Sequence, residues 1–354
     1  MQPASFALTR RSLLAGAGSA SFAAAAPAWG EGARIPYGVA VALDPFRNDA
    51  RLKEHLRRYA DVIVPMNALK WASLRHTEGQ FDFAGADEII AFAEGLGRPV
   101  HGHACCWYAF NPPWVDSIQS PRRLERELRV HIERTVGRYA GRIASWDVVN
   151  EAVAHDPREA GKWRRGVWYD VLGPRHLDIA FEEAARADPK ARLFLNDYDL
   201  EDDSARTPTR HAAILSMVRR LQDRNIPIHG IGLQAHLYAE RAIGVEALHR
   251  FLRDLKALGL EVAVTELDVI DWKLPADPAR RDRAVAATAR EFLDALLAEA
   301  RPRVVTTWGM NDAYSWIDDT FPRDDGARAR PLPFDRDWQP KPLFDVVRSS
   351  TGMG

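Results

Sequence analysis

Short apolar runs alternate with longer amphipathic segments along the chain, and this alternation constrains the fold more than any other feature of the sequence. Eight runs have the length and composition of buried strands: residues 37–42, 62–66, 99–107, 143–149, 192–195, 230–234, 261–265 and 304–308. Apolar periodicity predicts helices at residues 86–96, 124–139, 176–187, 210–225, 245–258, 281–300 and near 343–349. This alternation predicts an α/β protein in which one (β/α)8 TIM barrel forms a single domain over residues 29–354.

An open, doubly wound parallel sheet is the alternative fold for such alternation. Sheets of that kind commonly bind phosphate groups at a glycine-rich loop after the first strand. No such loop follows residue 42, which favours the barrel. A length of 354 residues agrees with one barrel, because barrels often exceed the size of an ordinary domain.

The first 28 residues resemble a bacterial twin-arginine export signal. Arg10 and Arg11 precede a run of small, weakly apolar residues at 15–26, and the Ala-Pro-Ala sequence at 26–28 fits a cleavage site. The run is too short to span a bilayer. We therefore expect cleavage and export to the periplasm or medium, with no membrane span in the mature protein. The alternatives are export by the Sec route, or a disordered or membrane-anchored start.

Charge and cysteine content limit the partners and cofactors that we expect. The chain has 48 basic and 49 acidic residues, a balance that indicates neither nucleic acid nor an anionic membrane as partner, and we expect a monomer. Basic residues at 122–142 alternate with glutamates and predict the solvated face of a helix. Cys105 and Cys106 are adjacent, which suits neither a disulfide nor a zinc site, and we interpret them as small apolar residues of a buried strand.

Two of the predicted strands end in glutamate. The fourth run leads into Glu151 and the seventh into Glu266. Active sites of barrels lie at the carboxyl ends of the strands. Hydrolysis of a glycosidic bond needs two carboxyl groups on either side of that bond, one protonated and one ionised. The pair therefore predicts a glycoside hydrolase.

Histidines at the other strand ends leave a metal site open as an alternative. His101, His103 and His236 all follow or lie in predicted strands, and His-x-His is a known ligand spacing. The two glutamates supply a complete acid and nucleophile mechanism without a metal. We therefore expect neither a metal nor a cofactor.

Several motifs in the same order resemble glycoside hydrolase family 10, the endo-β-1,4-xylanases. The most specific are Trp-Asp-Val-Val-Asn-Glu at 146–151 and Thr-Glu-Leu-Asp at 265–268. Supporting motifs are Asn-Ala-Leu-Lys-Trp at 67–71, Gly-His at 102–103, Pro-Trp at 113–114, Leu-Asn-Asp-Tyr at 195–198, Gln-Ala-His at 234–236 and Trp-Gly at 308–309. The resemblance covers nearly the whole mature chain. It implies an endo-acting, retaining hydrolase that cleaves β-1,4-xylosidic bonds in xylan or a xylo-oligosaccharide.

The resemblance also implies roles for the matching positions. Glu151 is expected to be the acid/base, and Glu266 the nucleophile of a double displacement. Asn150 would bind the 2-hydroxyl of the sugar, and Asp147 would support the acidic network. The other expected substrate-binding and supporting residues are Asn67, Lys70 and His103 for glycone sugars, Trp107, Trp308 and Trp316 as aromatic walls, Gln234, and His236 oriented by Asp268. Core packing is the alternative role of the three tryptophans.

A thioether and two aromatic side chains, Met66, Tyr108 and Phe110, replace polar groups of the family pattern on the glycone side. The family usually has Glu at the position of Met66, and Trp-His-Ser-Gln where this chain has Trp107, Tyr108, Ala109 and Phe110. These departures leave open a retaining hydrolase of the same barrel group that acts on another β-linked glycan or glycoside. A sugar-binding protein without turnover is a third possibility, which the presence of both glutamates disfavours.

Overall fold

A parallel barrel forms the centre of the molecule in the computed structural model, which describes residues 34–354. The predicted signal at 1–28 lies outside these residues. The strands are β1 (Tyr37–Val41), β2 (Val62–Pro65), β3 (His101–Trp107), β4 (Ser145–Asn150), β5 (Arg192–Asp197), β6 (Gly230–Leu233), β7 (His236–Tyr238), β8 (Glu261–Ile270) and β9 (Val305–Thr307). Eight of them pair in parallel in the order β2-β1-β9-β8-β6-β5-β4-β3, and β7 is a short extra strand beside β8.

The barrel closes between β2 and β3. One isolated parallel bridge joins Ile63 to Val100, and the Ile63 N–H donates to the Pro99 carbonyl at 3.1 Å. The (β/α)8 prediction is therefore confirmed, and the open sheet is wrong. All eight predicted runs correspond to barrel strands, with ends that differ by a few residues.

Helices surround the barrel. They are α1 (Leu43–Asn48), α2 (Ala50–Tyr59), α3 (Trp71–Leu74), α4 (Ala84–Gly95), α5 (Pro113–Asp116), α6 (Pro121–Arg138), α7 (Pro157–Ala160), α8 (Val167–Leu172), α9 (Arg175–Ala187), α10 (Thr207–Gln222), α11 (Val245–Ala257), α12 (Pro278–Glu299), α13 (Ile317–Thr320) and α14 (Pro342–Thr351), and a 3-10 turn covers Asp312–Tyr314. The seven predicted helices correspond to α4, α6, α9, α10, α11, α12 and α14. The helices α1 and α2 and the short loop helices were not predicted.

Local sequence explains where the long helices begin. In α6 the side chain of Ser120 accepts the Arg123 N–H and Pro121 occupies the first turn. Asp277 and Pro278 start α12 in the same way. As predicted, α6 carries charged residues on its outer face, where Arg129 pairs with Glu125 at 3.0 Å. The prediction is wrong for Glu127, which is buried and pairs with Arg75 at 2.7 Å.

Alternate strand residues divide the core into an inner and an outer part. On β2, Ile63 belongs to the main core packed against the helices, whereas Val62 and Val64 belong to separate small clusters. One such cluster contains Val62, Phe194, Ala263 and Val304, as expected for layers of side chains inside a barrel. Cys105 and Cys106 are buried and free, as predicted.

The glycine of the Gly-His motif on β3 is explained by packing on the helix side of the barrel wall, where Trp146 belongs to the main core. Gly102 pairs with Trp146 of β4, and a Cβ at this glycine would lie 2.2 Å from the Trp146 ring. Any larger residue would displace the buried indole, so glycine is required here. Within residues 34–354, no helix has both the length and the apolar character needed to cross a membrane.

Candidate active site

Glu151 directly follows β4, Glu266 lies within β8 just beyond the residues that pair with β6, and both line one cleft of about 330 Å³. Glu266 is buried, and Glu151 is partly buried immediately after β4. The backbone of Glu151 has φ of 56°, a left-handed conformation that is strained for a residue with a side chain. Its N–H donates to the Asn196 carbonyl of β5 at 2.8 Å, which helps to hold this conformation.

Amide side chains connect the two carboxyl groups. Gln234 Nε2 donates to Glu151 Oε1 at 3.3 Å and to Asn150 Oδ1 at 3.0 Å, and Asn150 Nδ2 donates to Glu151 Oε1 at 3.3 Å. Asn196 Nδ2 donates to Asn150 Oδ1 at 2.9 Å and to Glu266 Oε1 at 2.7 Å. The positions of both glutamates are therefore set by one hydrogen-bonded network.

The surroundings of Glu151 favour its protonated form. Burial, followed by the negative charges of Asp197 and Glu266, raises the pKa of Glu151 to about 7. The hydrogen bond from Gln234 opposes this rise without cancelling it. At mildly acidic pH the side chain therefore holds a proton that it can donate.

The surroundings of Glu266 favour its ionised form. Burial raises its pKa, but the charge of His103 and the hydrogen bond and charge of His236 outweigh burial, so the pKa is lowered overall. His236 Nε2 lies 3.3 Å from Glu266 Oε2, and His236 Nδ1 lies 2.8 Å from Asp268 Oδ1. Trp316 Nε1 donates to the other Asp268 oxygen at 2.8 Å. The two catalytic candidates thus have opposite ionisation in one cleft.

Asp147 lies below this pair and joins two histidines. Its Oδ2 is 3.0 Å from His101 Nε2 and 2.8 Å from His103 Nδ1. Burial raises the pKa of Asp147, but the charges and hydrogen bonds of both histidines lower it to about 2. Asp147 is therefore a fixed negative charge beneath the cleft.

The alternative of a metal site formed by His101, His103 and His236 together is wrong. Among the described residues, the group with ligand atoms close enough to hold a metal ion is His103, Asp147 and Glu266, within 4.8 Å of one another. Asp147 is hydrogen-bonded to His103, and Glu266 is hydrogen-bonded to Asn196 and His236. The expectation that no metal is used stays a prediction.

Lys70 also lines the cleft. Its Nζ donates to Asn67 Oδ1 at 2.9 Å and lies 4.6 Å from the ring centroid of Trp107 and 5.6 Å from those of Trp308 and Phe110. Burial lowers the pKa of Lys70 to about 8, although nearby carboxylates, Glu266 first, oppose this. A buried cation with one hydrogen-bond acceptor has further N–H groups for ligand hydroxyls.

The three departures from the family pattern lie beside Lys70 and the acid side. Met66 is buried against Trp308, together with Ala40 and Val64. Tyr108 and Phe110 are 38% and 46% exposed, the most exposed large apolar side chains of the described residues. Aromatic and thioether surfaces thus stand where the family usually has polar groups.

The cleft gathers most of the predicted site residues. Those that line it are Lys70, His103, Trp107, Asn150, Glu151, Gln234, His236, Glu266, Trp308 and Trp316. Asn67, Asp147 and Asp268 do not line it but contact Lys70, His103 and His236 from behind. The tryptophans therefore face the cleft and are not only core residues.

Several residues that line the cleft were not predicted as site residues. Tyr198, His155, Asp199, Tyr238, Ile270 and Phe321 also line the cleft. The Tyr198 hydroxyl lies 3.0 Å from His155 Nδ1 and is hydrogen-bonded by Arg164, whose guanidinium lies 4.6 Å from the Tyr108 ring. The position of Tyr198 directly after β5 could have indicated a site residue, whereas no sequence pattern indicated the residues in loops.

Comparison with known proteins agrees with this geometry. Residues 28–350 match the sequence profile of Glycosyl hydrolase family 10. Over 308 residues the chain is 35% identical to a β-1,4-xylanase of Dictyoglomus thermophilum, covering 83% of each chain. Xylanase 10B from Thermotoga maritima superposes with a TM-score of 0.81 at 29% identity, covering 90% of this chain and 95% of that chain. Xylanase 10B from Thermotoga petrophila RKU-1 in complex with xylobiose also has a TM-score of 0.81, at 28% identity, covering 90% and 94%.

Proposed function

The chain belongs to glycosyl hydrolase family 10, and from this membership and its site we propose that it is an endo-1,4-β-xylanase. It cleaves β-1,4-xylosidic bonds within xylan with retention of configuration. The observation that carries this proposal is the opposite ionisation of Glu151 and Glu266 in one cleft. Environments that separate the pKa values of two carboxyl groups assign the acid and the nucleophile.

The reaction has two steps. In the first, the Glu266 carboxylate attacks the anomeric carbon while Glu151 donates its proton to the leaving glycosidic oxygen, so that the glycosidic bond breaks and a glycosyl-enzyme ester forms. In the second, the Glu151 carboxylate takes a proton from water, which attacks the anomeric carbon and releases Glu266. Two inversions give net retention.

The network around the glutamates supports both steps. Asn196 and His236 hold the two oxygens of Glu266, so the attacking carboxylate has a fixed orientation. As negative charge leaves Glu266, its effect on Glu151 decreases, and the pKa of Glu151 falls in the intermediate. Glu151 then becomes the base that the second step requires.

The substrate is assigned through the relatives. The three proteins compared are named xylanases, and one is bound to xylobiose, so none supports another β-linked glycan as substrate. Both glutamates and a formed cleft argue against a sugar-binding protein without turnover. The monomeric state stays a prediction.

Product analysis tests this function. Purified enzyme is incubated with xylans, β-glucans and aryl glycosides, and early products are followed by chromatography and by proton NMR. We expect a mixture of xylo-oligosaccharides from xylan and the β-anomer as the first product, with Glu266→Ala as the inactive control. An α-anomer at early times, or xylose as the only early product, would contradict retention or endo action.

We also propose that the protein is exported by the twin-arginine route. The support is the sequence at the start of the chain, where Arg10 and Arg11 precede a small apolar run and an Ala-Pro-Ala site. Changing both arginines to lysine should leave an uncleaved precursor in the cytoplasm. Normal export of that variant would contradict this route.

A further inference from the structure

Glu201 is a buried acid that the mechanism above does not use. It lies in the loop between β5 and α10, is 2% exposed, and forms no ion pair within the described part of the chain. Its Oε2 accepts the Leu200 N–H at 2.8 Å and its Oε1 accepts the Ala235 N–H at 3.2 Å. The first bond joins adjacent residues, whereas the second joins Glu201 to a residue that follows β6 in the chain.

The peptide of Ala235 is held from two sides. The Glu201 carboxyl accepts its N–H, and its carbonyl accepts the Asp268 N–H at 3.3 Å. Ala235 is fully buried and has φ of 58°, the left-handed conformation that L side chains rarely adopt. A strained residue of this kind persists only where its surroundings fix it.

The two neighbours of Ala235 each serve one catalytic glutamate. Gln234 donates to Glu151 and His236 contacts Glu266. The left-handed turn at Ala235, which lies between Gln234 and His236, lets the one side chain reach Glu151 and the other Glu266. A change in this turn would therefore move the supports of both carboxyl groups together.

We propose that Glu201 is a positioning residue, whose carboxyl group fixes the turn at Ala235 and through it the contacts of Gln234 and His236 with the two glutamates. The inference rests on the proposed function, because those contacts matter only if Glu151 and Glu266 catalyse. The backbone role of this loop is separate, since the Glu201 carbonyl accepts the Gly244 N–H at 2.8 Å whatever the side chain.

The charge around Glu201 indicates which substitution should be tolerated. Burial raises the pKa of Glu201 to about 8, with smaller contributions from Asp199 and Asp202, although the Leu200 N–H bond opposes this. The carboxyl is therefore neutral at mildly acidic pH. Glutamine is neutral, has nearly the same volume and keeps one of the two acceptor oxygens, which can serve the Ala235 N–H, whereas leucine keeps the volume and removes both acceptors.

The test compares Glu201→Gln and Glu201→Leu with a control in the same loop. Asp202→Asn alters the next buried acid, which bonds Thr207 and Arg241 and does not contact Ala235. With an aryl β-xylobioside, the leucine variant should lose about 10- to 100-fold in kcat with KM changed less than about 3-fold, the scale of a small misplacement of catalytic groups. Glutamine should retain kcat within about 3-fold, and the Asp202 variant should match wild type.

The pH profile gives a second measurement that lost stability alone would not move. The bond from Gln234 lowers the pKa of Glu151, and the contact of His236 lowers that of Glu266. Loosening both contacts in the leucine variant should shift both limbs of kcat/KM to higher pH. The Asp202 variant should leave both limbs in place.

The outcomes separate this inference from the proposed function. Wild type without activity on xylan would reject the function, whereas an active wild type and a folded leucine variant with unchanged kcat and pH limbs would reject the role of Glu201. Equal losses in the glutamine and leucine variants would also reject it, because the acceptor would not be the cause. If the leucine variant does not fold, Glu201→Ala is judged by the same criteria.

Discussion

Removing the carboxyl group of Glu151 should remove the alkaline limb of the pH profile. With its pKa raised to about 7, Glu151 is about ten parts protonated to one ionised at pH 6, and the ratio is reversed at pH 8. Wild-type kcat/KM should therefore fall about tenfold for each pH unit above 7. The acidic limb belongs to Glu266, whose pKa is lowered.

In Glu151→Ala the size of the loss should depend on the leaving group. General acid catalysis contributes about 10²- to 10⁴-fold, so hydrolysis of xylo-oligosaccharides should fall by that amount. A dinitrophenyl β-xylobioside needs no proton on its leaving group, so its first step should survive and the glycosyl-enzyme should accumulate. Added azide should restore turnover, because it attacks the intermediate without a general base.

The assay is kcat/KM from pH 4 to 9 on both substrates, for wild type and Glu151→Ala. On the activated substrate the variant should show only the acidic limb. An alkaline limb that persists in the variant would refute the assignment, because it would then belong to another group. Lys70 and Glu201 are the alternatives in or near the cleft, since each has a pKa of about 8.

Three further results are expected. Glu266→Ala should abolish turnover of xylan and of activated glycosides alike, measured by product release, and residual activity on either that exceeds contamination would contradict a nucleophile. Glu151→Gln should stabilise the protein at pH 8 but not at pH 4. Because the pKa of Glu151 is raised in the folded state, the wild type loses stability as pH rises from about 4.5 to 7, by up to about 3 kcal/mol. The change in melting temperature between pH 4 and pH 8 should reveal this loss. Met66→Glu and Phe110→Gln restore polar groups at the glycone end. Each should raise kcat/KM on linear xylo-oligosaccharides by up to about tenfold, since a hydrogen bond contributes about 0.5–1.5 kcal/mol. No gain in either variant or in both combined would show that these positions do not limit glycone binding.

The sequence was sufficient to predict the barrel and the strands that carry Glu151 and Glu266, because both depend on local pattern. The sequence shows apolar runs that stop at Glu151 and Glu266, although β8 continues past Glu266 to Ile270. The helices α1 and α2 were missed because their segment is strongly polar and buries little beyond Phe46, Leu52 and Leu56.

The supports of the site were less predictable because they depend on distant partners. Asn196 belongs to a recognised motif, but its bond to Glu266 joins residues 70 positions apart. Glu201 gave no signal, since its partner is the backbone of Ala235 and no side-chain pattern records a left-handed peptide. Sequence patterns therefore indicated the candidate reacting groups, but they did not indicate most of the residues that hold those groups in place.

The closure of the barrel at a single bridge has a consequence for its motions. Between β3 and β4 several residues pair in register, whereas β2 and β3 share only the bridge from Ile63 to Val100 within residues 34–354. Regions with few hydrogen bonds open first in the native state. Among the barrel strands, amide exchange should therefore be fastest along the seam between β2 and β3. Lys70 follows β2 and Trp107 ends β3, so a sugar chain that touches both residues would join the two sides of the seam. Substrate binding would then slow exchange there, and the glycone end would be the part of the barrel that its ligand stabilises most.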